Sequence, residues 1–238
     1  MRTQRVPLLL TCVLLASSHS GPALAQHLEL GTSSPFLSPG RDDAPPCDGA
    51  LLTNTDEQFE NAYAWDDPGV EPPDFGGFAD AFVGSGVVCG MRVYLTTLPL
   101  YFNDEIADAY VYTSDGTNPD VVLSVTPGIE VGTPGIWPEI SVHEIELAPA
   151  SVDGEFFVYF WGDFEDGLGW YVAADVRGPI EAKPRTKVPW GIGYPTGWLD
   201  VDDVWGDTDA MGLCAYVLDD PVPVVPTTWG AVKRLYFP

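Results

Sequence analysis

Val87-Val-Cys-Gly-Met-Arg-Val-Tyr-Leu95 decides the fold class of this 238-residue chain. Val87, Cys89, Met91, Val93 and Leu95 are apolar, with Gly90, Arg92 and Tyr94 between them. A period of two marks a strand with one face on a core. A second strand follows over 106–113, then the turn Ser114-Asp-Gly-Thr-Asn-Pro119, then the apolar run Val121-Val-Leu-Ser-Val125. The centre of the chain therefore reads as an antiparallel β-meander.

Outward from that stretch, strand-like segments recur at short spacing. They are Ala50–Thr53, Ala62–Trp65, Gly77–Val83, Ile140–Leu147, Glu155–Trp161, Trp170–Asp175 and Met211–Leu218. Gly84-Ser85-Gly86 reads as a turn between two of them. No window of ten residues carries apolar positions at helical period, and 23 prolines and 25 glycines disfavour long helices. About ten short strands without helices imply an all-β protein, a two-sheet antiparallel jelly-roll-like sandwich. Gly154-Glu-Phe-Phe-Val-Tyr-Phe-Trp161 is apolar on both faces, as a central strand covered on both sides must be.

The organisation expected is a signal segment, a linker, one domain, a second linker and a tail. Residues 1–25 hold Arg2 and Arg5, an apolar run over 6–16 and a small-x-small site, Ala23-Leu24-Ala25. That is the pattern of a secretory signal, and the run is too short to span a bilayer. Residues 26–46 are rich in Gly, Ser, Pro and Asp and read as a flexible linker. The domain runs from Cys47 to Leu218, 172 residues, enough for one sizeable core. Residues 219–226 form a Pro-rich linker, and 227–238 a terminal peptide in which Trp229, Val232 and Tyr236 share a stripe beside Lys233 and Arg234.

Charge excludes some partners. Ten basic residues face 35 acidic ones, a net −25; loss of Arg2 and Arg5 with the signal leaves eight against 35, or −27. Nucleic acid and anionic membrane are repelled by such a surface. Three cysteines lie beyond the signal: Cys47, Cys89 and Cys214. In an oxidising compartment one pair forms and one thiol is left over. Cys89–Cys214 is preferred over Cys47–Cys89 because both of its members lie on strands, although sequence alone does not choose. No Cys-x-x-Cys or Cys/His cluster suggests zinc or thiol redox chemistry.

Two stretches resemble known patterns. The ending Thr227-Thr-Trp-Gly-Ala-Val-Lys-Arg-Leu-Tyr236 is similar to the Thr-Thr-Trp-Gly-x-Ile/Val-Lys-x-Leu-Tyr tail found on secreted bacterial proteins. That resemblance implies a sorting or surface-attachment peptide, although Phe237-Pro238 stands where a basic residue is expected. Residues 62–161 resemble jelly-roll accessory domains of secreted bacterial proteins, which are mostly non-catalytic. The resemblance implies a fold and says little about activity.

Three kinds of site are worth testing. Asp200, Asp202, Asp203, Asp207 and Asp209 put five carboxylates into ten residues, the oxygen ligands Ca²⁺ takes, though not in EF-hand order. Solvated turns are the plainer reading, and no motif requires a cofactor. Trp161, Trp170, Tyr171, Trp190, Tyr194, Trp198 and Trp205 crowd into the last third, beside Asp163 and Asp166. Exposed aromatics beside carboxylates can stack and hydrogen-bond a sugar ring, which makes Trp190, Tyr194, Trp198, Trp205, Asp163 and Asp166 candidate ligand contacts. Trp161 and Trp170, in strand-like sequence, read as packing. Catalytic motifs are absent: there is no Gly-x-Ser-x-Gly, and His143-Glu144-Ile-Glu-Leu147 has Leu where a zincin needs its second His. His143 reads as structural. A glycosidase needs only two carboxylates, which 35 acids cannot discriminate. The sequence thus points to a secreted or surface-held, non-catalytic binding module for carbohydrate. The competing readings are a self-associating envelope or matrix component and a glycoside hydrolase.

Overall fold

The computed structural model describes residues 26–31, 35–38, 44–66, 75–99, 106–162, 170–178, 182–188 and 193–219. In chain order the strands are β1 (Gln26–Glu29), β2 (Phe36–Leu37), β3 (Ala50–Thr53), β4 (Asn61–Asp66), β5 (Phe78–Thr97), β6 (Ile106–Ser114) and β7 (Pro119–Glu130). There follow β8 (Gly135–Ile136), β9 (Glu139–Gly162), β10 (Tyr171–Asp175), β11 (Arg185–Val188) and β12 (Gly197–Asp200). A four-residue helix α1 (Asp202–Trp205) precedes β13 (Ala210–Met211) and β14 (Leu213–Leu218). Among the described residues no helix is long and apolar enough to cross a membrane.

The all-β, largely antiparallel architecture holds, but the strands are fewer and longer in the middle than the alternation suggested. Gly77–Val83 and Val87–Leu95 merge into the 20-residue β5, and Ile140–Leu147 and Glu155–Trp161 into the 24-residue β9. Gly84-Ser85-Gly86 is not a turn: Gly84 pairs Gly154 and Ser85 pairs Asp153. Nor do β5 and β6 form a meander. β9 lies between them, giving the order β5-β9-β6-β7. The stretch expected as a linker also contributes, since β1 pairs β4 and β2 pairs β9.

β5 and β9 pair from Phe78↔Phe160 to Leu95↔Ser141 and pass through both layers of the fold. Their first layer is flanked by β6 and β7 on the β9 side and by β11 and β12 on the β5 side. In the second layer β14 pairs Val87–Val93 with β3 beyond it, and β10 pairs Leu95 and Thr96 with β4 beyond it. Cys89 is an extra residue of β5 against β14, whose Val217 and Tyr216 pair with Val88 and Gly90, and this bulge switches the inward set. Phe78, Phe82 and Val88 face the core before it, and Met91, Val93 and Leu95 after it. One extra residue inverts a strand's faces, so the odd-numbered alternation of the opening stretch applies only from Met91 onward. Between the layers, Phe82, Phe156, Phe160, Met91, Val93, Leu213, Tyr63 and Trp65 make one cluster. Gly86 has φ +140°, and a Cβ there would run into the Leu218 carbonyl oxygen, so the end of β14 can lie alongside only a glycine.

The outer face of the first layer carries a second cluster, Ala79, Tyr110, Tyr112, Phe157, Tyr159 and Trp161. Phe156 to Trp161 are buried on both faces, as expected of a central strand.

The disulfide joins Cys47 to Cys89, not Cys89 to Cys214, with Cα atoms 6.3 Å apart. The register explains the correction. Cys214 lies opposite Arg92, three positions along β5 from Cys89, roughly 10 Å at strand rise and outside disulfide reach. The segment before Cys47 crosses β5 at Gly90, where a Cβ would strike the Pro46 ring. Cys214 stays a buried free thiol, pushed up to about 12 by desolvation.

Asp80 is fully buried on the inward face of β5. Its Oδ2 accepts the Met211 amide at 3.0 Å, and its Oδ1 has no partner among the described residues. Burial, reinforced by nearby Asp175, raises its pKa well above the usual carboxylate range. A carboxyl that keeps its proton in the fold but loses it in the unfolded chain makes stability fall as pH rises between those two pKa values. Asp80→Asn is expected to flatten that fall in melts taken from acid to neutral pH, with no change at pH values where both states are protonated. Replacing Cys47 and Cys89 by Ser is expected to cost about 2–4 kcal/mol in urea denaturation. The single thiol of Cys214 should titrate only after unfolding.

Candidate functional site

The two layers separate where β5 bends. β3, held by β14, and the Asn54 that follows it form one wall of a cleft. Ala81, Phe82 and Val83 of β5, Glu155 of β9 and Lys183 ahead of β11 form the other. Its volume is about 520 Å³, in the range of small-ligand sites. Leu52, Phe82 and the exposed Val83 supply apolar surface. A Cβ at Gly84, next to Val83, would make ordinary contact with Leu52 Cδ1 at 3.4 Å, so a large side chain there would reach toward the cleft.

The polar groups of the cleft are fixed. Asn54 Nδ2 donates to the Ala81 carbonyl at 2.9 Å. Lys183 Nζ donates to Glu155 Oε1 at 2.6 Å and to the Gly116 carbonyl at 3.0 Å. Ser114 Oγ donates to the other Glu155 oxygen at 2.5 Å. The Lys183 bond, then the Ser114 bond, hold Glu155 below the usual carboxylate range, so it stays ionised near neutral pH.

None of the described candidates from the sequence lines this cleft. Trp205 stacks on Tyr63 at 5.2 Å, meets Trp65 edge-on at 5.0 Å and leans on Phe78 at 5.2 Å; it pins α1 to the core. Tyr194 also packs against Trp65, at 6.3 Å. Trp198 is half-buried on the outer cluster, edge-on to Tyr112 at 5.7 Å and Tyr159 at 5.3 Å, with Lys187 Nζ 5.5 Å from its ring. Trp161 donates its ring N–H to the Phe75 carbonyl at 2.6 Å, and Trp170 stacks on Phe160 at 6.2 Å, the packing roles expected of both. Asp163, Asp166, Trp190 and the tail residues Trp229, Lys233, Arg234 and Tyr236 lie outside the described residues.

The acidic loop is dispersed among separate partners. Asp200 pairs with Arg185, and Asp202 Oδ1 accepts the Thr208 amide at 2.9 Å. Partial burial, then the neighbouring Asp200, Asp207 and Asp209, raise the Asp202 pKa. Asp203 and Asp207 are exposed. Among the described residues no three His, Cys, Asp or Glu side chains converge as metal ligands would. His143 is buried, with Nε2 2.7 Å from Ser141 Oγ and Nδ1 2.8 Å from the Val131 carbonyl, a structural placement.

One polar cluster was missed. On the outer face of the second layer Arg92 Nε donates to Glu144 Oε1 at 2.8 Å, and its Nη2 lies 3.1 Å from Tyr216 Oη. Its Nη1 is 3.5 Å from Glu57 Oε1, which in turn accepts the Tyr94 hydroxyl at 2.5 Å. Glu57 is the one non-glycine residue with positive φ among those described, at 65°. Glu144 is nearly buried, and its Oε2 has no partner among the described residues. The cluster clamps the segment after β3 onto the sheet. The signal was present in Arg92 itself: a cation at mid-strand in a chain this acidic has to be paired.

No family of known proteins, no curated protein and no solved structure matches the chain.

Arg92→Met strands the nearly buried Glu144 charge and is expected to cost about 3 kcal/mol in denaturant melts. Adding Glu144→Gln should recover most of that loss.

Proposed function

We propose that this chain is an exported, non-catalytic binding module that holds an uncharged saccharide in the cleft between β3 and β5. The observation that carries the reading is the composition of that cleft. Apolar surface from Leu52, Phe82 and Val83 lies beside Lys183, Glu155 and Asn54, which are held by hydrogen bonds before any ligand arrives. A sugar ring offers an apolar C–H face and a rim of hydroxyls, and a pre-formed mixed site meets both without an ordering cost. The net charge of −25 favours a neutral glycan over a uronate polymer.

Export rests on the signal pattern of residues 1–25, and retention at a surface on the tail with Trp229, Lys233, Arg234 and Tyr236. A binding role is favoured over glycoside hydrolysis because Glu155 is the one carboxylate lining the cleft among the described residues. It is also held ionised, unsuited to a general acid.

Calorimetric titration of residues 26–238 with neutral oligosaccharides tests the reading. Lys183→Met and Gly84→Leu are each expected to weaken binding about tenfold, or about 1.4 kcal/mol, while Trp198→Ala leaves it unchanged. Binding that survives both cleft variants and disappears with Trp198→Ala would move the site to the outer aromatic face. No binding by any glycan would remove the proposal.

A further inference from the structure

The longest stretch of uncovered apolar surface among the described residues is not at the cleft. Among the described residues β7 pairs with β6 alone, at the end of the sheet path. Between Pro119 and Pro127 its side chains are Asp120, Val121, Val122, Leu123, Ser124, Val125 and Thr126. Val121 is 56% exposed, Val122 43%, Leu123 39% and Val125 39%. Edge strands are ordinarily guarded by lysines, prolines, bulges, inward charges or a covering segment; β7 has Pro119 and Pro127 at the two ends of this stretch and register shifts against β6. None of the seven is a lysine, and residues 121–129 carry no charge at all in a chain of net −25.

The surface is also continuous with the buried outer cluster. Val125 lies opposite Tyr110, and Tyr110 opposite Tyr159; Val122 lies opposite Tyr112. Tyr110 and Tyr112 are 4% and 2% exposed, so the apolar row is covered up to β6 and stops being covered at β7.

We propose that β7 is the edge on which a second copy of this chain pairs, antiparallel and about a two-fold axis. Charge selects this occupant. A cationic or anionic peptide finds no countercharge between Val121 and Ile129, whereas two such stretches meet each other without like charges opposed. Charge also selects the register. Pairing centred on Val125 would set Asp120 of one copy against Glu130 of the other. Pairing centred on Ser124 sets Asp120 against Gly128 and Leu123 against Val125. The isologous contact then continues β6 and β7 of one copy into β7 and β6 of the next. The surface is separate from the cleft, so the inference stands whether or not a saccharide binds there.

Sedimentation velocity of residues 26–238, from micromolar to millimolar concentration and at low and high salt, tests it. The expected result is a concentration-dependent dimer that tightens with salt, because screening relieves the repulsion between two acidic bodies while edge pairing is insensitive to it. Leu123→Lys should weaken the dimer at least tenfold with no change in melting temperature. Ser124→Cys should give a covalent dimer on oxidation, since residues at the centre of the two-fold face each other. A monomer at every concentration, or a dimer indifferent to Leu123→Lys, would overturn the proposal. So would association that weakens with salt and is lost on removing 227–238, an outcome that assigns the edge to the Lys233–Arg234 tail instead.

Discussion

Everything in this fold hangs on the pairing of β5 with β9. The two strands run antiparallel over eighteen positions of β5, from Phe78 to Leu95, with one bulge at Val88/Gly90. Because both strands cross from one layer to the other, the layers share hydrogen bonds as well as a core. Phe78, Phe82, Phe156 and Phe160 in the first layer pack against Met91, Val93 and Leu213 in the second. Burial of such side chains is worth about 1.5–3 kcal/mol each, so the ribbon and the core stabilise the same bend from both sides. The bend needs small residues, Gly84, Ser85 and Gly86 on β5 against Gly154 on β9. A turn would have broken the ladder there; the glycines let it continue.

The same bend sets what the surface can do. It opens the cleft, because β3 travels with β14 in the second layer while Phe82 and Val83 remain in the first. It also sends β6 and β7 outward from the β9 side, leaving β7 as an edge. The cleft is lined by fixed polar groups and the edge by uncharged ones. In a chain of net −25 both are departures from the prevailing surface, one through the Lys183–Glu155 pair and the other through the absence of charge from 121 to 129.

Much of this was legible in the sequence, and the failures have physical causes. Strand positions were readable because alternation and β-branched content report burial on one face. The all-apolar stretch of β9 announced its double burial for the same reason. Alternation cannot tell a turn from a glycine-rich bend, so β5 and β9 were each read as two strands. Nor can it detect a bulge, which is why the inward set of β5 was assigned correctly from Met91 and wrongly at Val87 and Cys89. The disulfide followed from register, which no local pattern encodes. In sequence, Tyr194 and Trp198 look like surface contacts because Gly and Pro surround them, and Trp205 because it lies within the acidic loop. In the fold, Tyr194 and Trp205 anchor their loops to Trp65 instead. The cleft drew no attention, since Leu52, Val83 and Lys183 are unremarkable residues until the bend brings them together.

The most direct test of the central claim, that the bend builds a saccharide site, is an amide chemical-shift map of residues 26–238 titrated with a neutral oligosaccharide. Saturable shifts confined to 51–54, 81–84, 155 and 182–183 are the result this structure predicts. Shifts centred on Trp198 and Lys187, or none across the panel of glycans, would contradict it.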